Sequence, residues 1–142
     1  MTIRELIERL EKATGPDRAL DAEIAVALRI APDAASSWFE AGFPSWRAGE
    51  NGQVYVVHDT GETGAWGYAR LFTASIDAAL TLVPEGLSYE FRCSSFGECS
   101  QAIVWDGRKS PQVSERARVS INGVRPAIAL CIAALKAREA RG

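Results

Sequence analysis

The feature that most constrains the fold is a sharply bounded helical segment at residues 71–86, LFTASIDAALTLVPEG. Thr73 is a typical N-cap residue, and the apolar residues after it recur at helical spacing. Pro84 and Gly86 end the segment, because proline lacks the N–H that a helix needs. The apolar stripe consists of Ile76, Ala79, Leu80 and Val83. The segment predicts a short helix that covers one face of a sheet and sets the register of the next strand.

Three short segments rich in β-forming residues follow this helix, at 87–93, 100–106 and 115–121. A turn rich in Gly and Ser separates the first two, and Asp106–Gly107 opens the connection to the third. This spacing predicts an antiparallel meander.

The N-terminal residues 1–28 predict a helical hairpin. Thr2 and Glu5 form a capping box, in which each side chain satisfies a main-chain N–H of the first helix. A Gly-Pro pair at 15–16 ends that helix, and a second helix is predicted from about 17 to 28. The apolar stripe of the first helix consists of Ile3, Leu6, Ile7 and Leu10.

A last helix is predicted from Pro126, because proline fits the first turn of a helix. Basic residues near its C-terminal end complement the helix dipole. Its inner face consists of Ile128, Cys131, Ile132 and Leu135.

Residues 31–70 combine turn-forming residues with most of the aromatic side chains. Eight of the twelve aromatic residues fall within 38–72, so this segment is either core or a surface that stacks on a ligand. QVYVV at 53–57 predicts a strand, and the Gly-rich stretch at 59–70 predicts a loop.

Together these elements predict a single α+β domain over residues 1–142. A small antiparallel sheet of about four strands carries helices on its faces, after the helical hairpin at 1–28 and the aromatic segment at 31–70. Residues 71–138 supply the helix, the meander and the last helix. Because so small a sheet leaves exposed edges, we expect a homo-oligomer that pairs or covers an edge.

Composition excludes several classes of function. The 142-residue chain has a formal net charge of −2, whereas bulk nucleic-acid binding depends on many Lys and Arg contacts to phosphates. The N-terminus lacks the apolar stretch of a signal peptide, and no apolar run approaches membrane-spanning length. Three cysteines, an odd number, argue against a disulfide framework. We therefore expect a soluble protein of a reducing cytoplasm.

Two segments resemble a known family. FTASIDAALTLVPEG at 72–86 and RPAIALCIAALKAR at 125–138 resemble the phage ABA-sandwich domain of small phage and prophage proteins. In that family a helix, a β-meander and a closing helix follow in this order. The matched residues, Phe72 to Leu80 and Pro126 to Ala137, are mostly apolar. The resemblance therefore implies a fold and a location in the host cytoplasm, and it implies no reaction.

The residues do not predict an enzyme. His58, the only histidine, precedes Asp59, but adjacent residues of a strand point to opposite faces, so the two are poorly placed to pair. A small hydrolase that uses His58 is the least favoured function. The Gly-rich stretch at 61–67 lacks the Gly-Lys-Ser/Thr ending of a phosphate-binding loop.

The cysteines do not predict a metal site. Cys93 and Cys99 flank a turn, and only His58 is available to join them, whereas structural zinc takes four closely spaced ligands. We expect the two thiols to be reduced and to face each other in a hairpin. Cys131 lies on the apolar stripe of the last helix and is expected in the core. We therefore expect no metal and no cofactor.

Arginine and aromatic residues make up the candidate ligand site. Arg116 and Arg118 alternate along one predicted strand and share a face, and Arg92 lies in a neighbouring strand. Guanidinium groups bind phosphates, and Trp or Tyr stacks on a base. The alternative is a solvated strand face above a core that contains the Trp residues. The candidate ligand-binding residues are Arg70, Arg92, Arg116, Arg118, Trp46, Trp66 and Tyr68.

The function that these features favour is that of a non-enzymatic, phage-encoded protein that binds a small nucleotide-type ligand. The resemblance to phage proteins extends this hypothesis to sequestration of a nucleotide signal made by the host immune system. The alternative is a phage accessory module that binds another protein through the aromatic segment.

Overall fold

A computed structural model describes residues 1–32, 45–93, 99–106, 115–118 and 126–141, with the main chain alone for residues 92–93, 99–100, 106, 115–118 and 141. The helices are α1 (Ile3–Lys12), α2 (Arg18–Leu28), α3 (Ile76–Leu80) and α4 (Pro126–Arg141). The strands are β1 (Ser45–Ala48), β2 (Gln53–Val57), β3 (Thr63–Tyr68), β4 (Leu87–Cys93), β5 (Cys99–Asp106) and β6 (Glu115–Arg118). The predicted α+β class is confirmed. Three aromatic residues of the segment 31–70, Trp38, Phe39 and Phe43, and the first residue of the segment 125–138, Arg125, lie outside the described residues.

The described strands form two three-stranded antiparallel sheets, whereas one sheet of about four strands was predicted. β1, β2 and β3 form the first sheet in this order, and β4, β5 and β6 form the second. The two additional strands are β1 and β3. β3 lies within 59–70, which was predicted as a loop, and it pairs with β2 so that Trp66 lies opposite Tyr55. β3 contains two glycines, and because glycine is depleted in strands, its sequence did not predict a strand.

The N-terminal helical hairpin is confirmed. Thr2 and Glu5 make both bonds of the capping box of α1. Asp17 caps α2, where its Oδ1 accepts from the Leu20 N–H at 3.1 Å. Helix α2 packs against β1 and β2, and α1 contacts both α2 and α4. The hairpin therefore connects the first sheet to the last helix.

Helix α4 lies at the centre of the core. Every residue from Ala127 to Leu135 is buried, including the four predicted for its inner face. A helix that is apolar on all sides must be covered on all sides, and α4 contacts α1, α3, β5 and β6. Within the described ranges, no helix is long and apolar enough to cross a bilayer.

Helix α3 begins later than predicted. Ser75 caps it, and its Oγ accepts from the Ala78 N–H at 3.3 Å. Thr73, the predicted cap, is fully buried and bonds to Asp21. Ile76 was predicted on the buried stripe but is 41% exposed, because it occupies the first position of the shortened helix.

Candidate functional site

The second sheet has an apolar face and an opposite face that we call the polar face. Ala102 and Val104 of β5 belong to the hydrophobic core that surrounds α4. Because residues alternate along a strand, Gln101, Ile103 and Trp105 lie on the opposite face. Ile103 is fully buried there and Trp105 is half-buried, so the centre of this face is covered and a ligand on it would be enclosed.

The strand register brings two of the predicted arginine positions into one row across the polar face. Arg92 of β4 lies opposite Gln101 of β5, and Gln101 lies opposite Arg118 of β6. Directly paired residues share a face, and their Cβ atoms are about 4.5–5.5 Å apart. We call these three positions the donor row, since arginine and the glutamine amide carry N–H donors.

Three further positions lie along the same face. Arg116 of β6 and Glu90 of β4 lie opposite Ile103 on its two sides. Trp105 follows two residues later along β5 and places an indole on this face. Trp105 was not among the predicted site residues. The signal that could have found it was the alternation of Gln101, Ile103 and Trp105 along one predicted strand.

One polar group of this face, the side-chain amide of Gln101, is buried. Gln101 is 8% exposed, and its Nε2 has no hydrogen-bond partner among the described residues. A buried donor without an acceptor costs about 1–3 kcal/mol, and native proteins contain few of them. Among the described residues, the Gln101 Nε2 at the centre of the donor row therefore has no acceptor, and an anion is one group that would supply it.

Trp46, predicted to stack on a ligand, is instead a core residue. It lies opposite the buried Val56 on the inner face of the first sheet and is 8% exposed. The Arg29 guanidinium lies 4.4 Å from the centroid of its ring. The alternation of β1 turns this indole towards α2, so Trp46 packs in the core and lies apart from the second sheet.

Trp66 and Tyr68 lie on a different sheet from the donor row. They are 50% and 55% exposed on the outer face of the first sheet. Their rings meet edge to face with centroids 5.3 Å apart, and the Tyr55 ring lies 6.3 Å from Trp66. The structure thus brings these aromatic residues together with one another and places them apart from the sheet that carries Arg92, Arg116 and Arg118.

Arg70 lies beside α3. It contributes to a shallow groove of about 280 Å³ that also contains Leu71, Ser75, Asp77, Ala78 and Thr81. Its carbonyl oxygen accepts from Arg18 Nη1 at 3.4 Å. Arg70 therefore belongs to the connection between β3 and α3, which is separate from the polar face.

A groove of about 610 Å³ between α1 and α4 offers no site of its own. It is lined by charged side chains from both helices. Arg4 pairs with Glu139 at 3.0 Å, and Lys136 lies 3.5 Å from Glu11. Because carboxylates already neutralise both cations, the groove lacks the free positive charge that an anion requires.

The residues considered for catalysis are placed as follows. His58 follows β2, where its N–H donates to the Glu62 carbonyl at 2.9 Å, and its imidazole lies close to Gly64. The buried Cys131 thiol donates to the Phe72 carbonyl at 3.2 Å. Burial raises the pKa of this thiol, so Cys131 is protonated and shielded, unlike a catalytic cysteine.

The two remaining cysteines lie opposite each other, since the register pairs Cys93 with Cys99. In the part of the chain that the structure describes, no group of three or more His, Cys, Asp or Glu side chains could hold a metal ion.

We compared the chain with protein-family models, with curated proteins and with solved structures, and none of the three comparisons found a match. The resemblance to the phage ABA-sandwich domain therefore stays a prediction. Function has to be inferred from the polar face itself.

Proposed function

We propose that the protein is a non-enzymatic binding protein that holds a small nucleotide-type ligand on the polar face of the second sheet. The observation that supports this most is the buried Gln101 amide without an acceptor, in register between Arg92 and Arg118. All three are residue types that carry N–H donors, and none carries a negative charge.

The donor row is complementary to the anionic part of a nucleotide ligand. A phosphate oxygen beside Gln101 Nε2 would supply its missing acceptor, and guanidinium groups bind phosphates with charge-assisted hydrogen bonds. Arg116, one row away, adds a third positively charged residue on the same face.

Trp105, at the opposite end of the face, is complementary to the base of a nucleotide ligand. Trp105 supplies an apolar π-face, and stacking of a base on an aromatic side chain contributes about 1–3 kcal/mol. Donors at one end of the face and a ring at the other match the two chemical parts of a nucleotide.

Sequestration of a nucleotide signal made by a host immune system is the biological role that the phage resemblance implies, and it remains part of the proposal. The alternative, an accessory module that binds another protein, is supported by the exposed aromatic side chains of Trp66 and Tyr68.

The test is a calorimetric titration with AMP, ATP, adenosine and inorganic phosphate, preceded by a thermal-shift screen of linear and cyclic nucleotides. Arg118→Ala should weaken AMP binding by about 1.5–3 kcal/mol, the range for a charge-assisted hydrogen bond. Trp105→Ala should weaken AMP by about 1–3 kcal/mol and leave inorganic phosphate unchanged. Arg47→Ala, an exposed arginine of the first sheet, is the matched control and should change neither.

Gln101→Met separates a ligand-binding role from a structural one. The substitution removes the buried donor while it keeps the side-chain length, so the free protein should be as stable or more stable. Binding of inorganic phosphate should nevertheless weaken. Loss of stability without loss of affinity, or equal affinity in all variants, would show that the polar face is only a structural surface.

A further inference from the structure

We propose that two copies of this chain associate by pairing their β3 strands, so that their first sheets join into one six-stranded antiparallel sheet. The proposal concerns the first sheet and does not depend on the ligand of the polar face. It names the edge at which the expected homo-oligomer forms.

β3 differs from the other three edge strands of the described sheets because it carries no charged residue. Its sequence is TGAWGY, whereas β1 contains Arg47, β4 contains Glu90 and Arg92, and β6 contains Glu115 and two arginines. Charged side chains on an edge strand oppose its pairing with another chain. β3 lacks this protection, and it also contains no proline.

The main-chain groups of Trp66 and Tyr68 point away from β2. The Ala69 N–H donates to the Gly52 carbonyl at 2.7 Å, which continues the register of the β2–β3 pair. Hydrogen-bonded and non-hydrogen-bonded residues alternate along an antiparallel pair. Ala69 and Gly67 therefore bond to β2, while Trp66 and Tyr68 present their N–H and C=O groups at the outer edge. Among the described residues, no strand occupies this edge.

A two-fold axis at Gly67 satisfies these groups. Trp66 then lies opposite Tyr68 of the partner subunit, and Tyr68 lies opposite Trp66 of the partner subunit, which gives two hydrogen-bonded pairs with two bonds each. The half-exposed rings of both chains meet on one face as aromatic cross-strand pairs. Because the same surface is used on both sides, the contact closes after two copies.

The length of the regular edge limits the strength of this dimer. A register shift between Tyr55 and Val57 interrupts the β2–β3 pair before Trp66, so the regular part is short. Two half-exposed rings, each of about 150–250 Å², contribute about 200 Å² per copy. A standard interface buries about 800 Å² per partner. We therefore expect dissociation in the micromolar range or above.

Sedimentation equilibrium from about 1 µM to about 1 mM tests the association, since dimers grow with concentration by mass action. The weight-average mass should rise from 15.3 kDa towards twice that value. Tyr68→Lys should weaken the dimer at least about tenfold, because it places a charge on each edge strand. Tyr89→Lys, at an equally exposed tyrosine of the second sheet, is the matched control and should have no effect.

Amide hydrogen exchange on the unsubstituted protein tests the same proposal without a variant. The Trp66 and Tyr68 amides should exchange more slowly as concentration rises, while Gly67 stays slow throughout. A monomer over the whole range, a dimer weakened equally by Tyr89→Lys, or Trp66 and Tyr68 exchange that is independent of concentration would overturn the proposal. Slow exchange that is independent of concentration would show that the chain itself covers this edge, and fast exchange at every concentration would show an open edge.

Discussion

The buried Asp21 carboxylate accepts two hydrogen bonds from Thr73, one from its main-chain N–H at 2.8 Å and one from its hydroxyl at 2.9 Å. Arg18 Nη1 donates to the other carboxylate oxygen at 2.8 Å, and Arg18 Nη2 donates to the Ala69 carbonyl at 2.8 Å. The Thr73 hydroxyl also accepts from the Asp17 N–H at 2.8 Å. These bonds tie α2 to the connection between β3 and α3, and they position the end of the first sheet.

Thr73→Val should destabilise the protein by about 1–3 kcal/mol, because it keeps the shape of the side chain but leaves a buried carboxylate and an N–H each without one bond. Urea unfolding measures the effect. Thr81→Val is the control, since the Thr81 hydroxyl donates to the Ala78 carbonyl at an exposed position. That substitution should cost less than about 0.5 kcal/mol. Equal losses in both variants would contradict the role assigned to Thr73.

Asp21 should make stability depend on pH. Burial raises the pKa of its carboxyl above the ordinary value of 3.8, in opposition to the bonds from Thr73 and Arg18. The folded state then holds the proton more tightly than the unfolded state, so the contribution of Asp21 is greatest at low pH. It is lost as the pH rises through the folded pKa.

The measurement is unfolding of the unsubstituted protein and of Asp21→Asn at several pH values from 4 to 7. The advantage of the unsubstituted protein over Asp21→Asn should shrink as the pH rises, because asparagine does not titrate. An advantage that grows with pH would mean that the ion pair with Arg18 outweighs burial.

Gly52→Ala should destabilise the protein more than Gly61→Ala does. Both glycines have positive φ, +84° and +86°, and alanine pays about 1–2 kcal/mol in such a conformation. At Gly52 a Cβ would also lie 2.6 Å from the Arg18 guanidinium, whereas at Gly61 it would meet nothing within 4 Å. Thermal unfolding of both variants isolates the displacement of Arg18. Equal shifts in melting temperature would argue against close packing at Gly52.

Cys131 should be inert in the folded protein. Its thiol is fully buried, and burial raises its pKa. In a Cys93→Ser/Cys99→Ser background, where Cys131 is the only thiol, reaction with a disulfide reagent should be at least about 1000-fold slower than in denaturant, because it requires unfolding. Rapid reaction under native conditions would show an opening that exposes α4.

Features that depend on residues close to one another in sequence were predictable. The capping box at Thr2 and Glu5 and the buried stripe that contains Cys131 depend on spacing within one helix. The alternation of Arg116 and Arg118 likewise follows from the period of a strand, and β6 contains both.

Features that depend on contacts between residues far apart in sequence were not predictable. Thr73 looks like a helix cap, but a carboxylate 52 residues away binds its hydroxyl. Trp46 is buried because of its register against Val56. Gln101 became a candidate site residue for two reasons that need the structure. Strand pairing places an arginine on each side of it, and its amide Nε2 is buried without a hydrogen-bond partner among the described residues.

The position of α4 has a consequence for synthesis of the chain. Its partners α1, α3, β5 and β6 all precede it in sequence, so the ribosome makes them first. Until α4 emerges, the apolar faces that it covers stay open to water, and Ala102 and Val104 of β5 are among them. During synthesis, most core residues are therefore made before α4, the helix that covers them. Chaperone binding would protect the nascent chain most in this period.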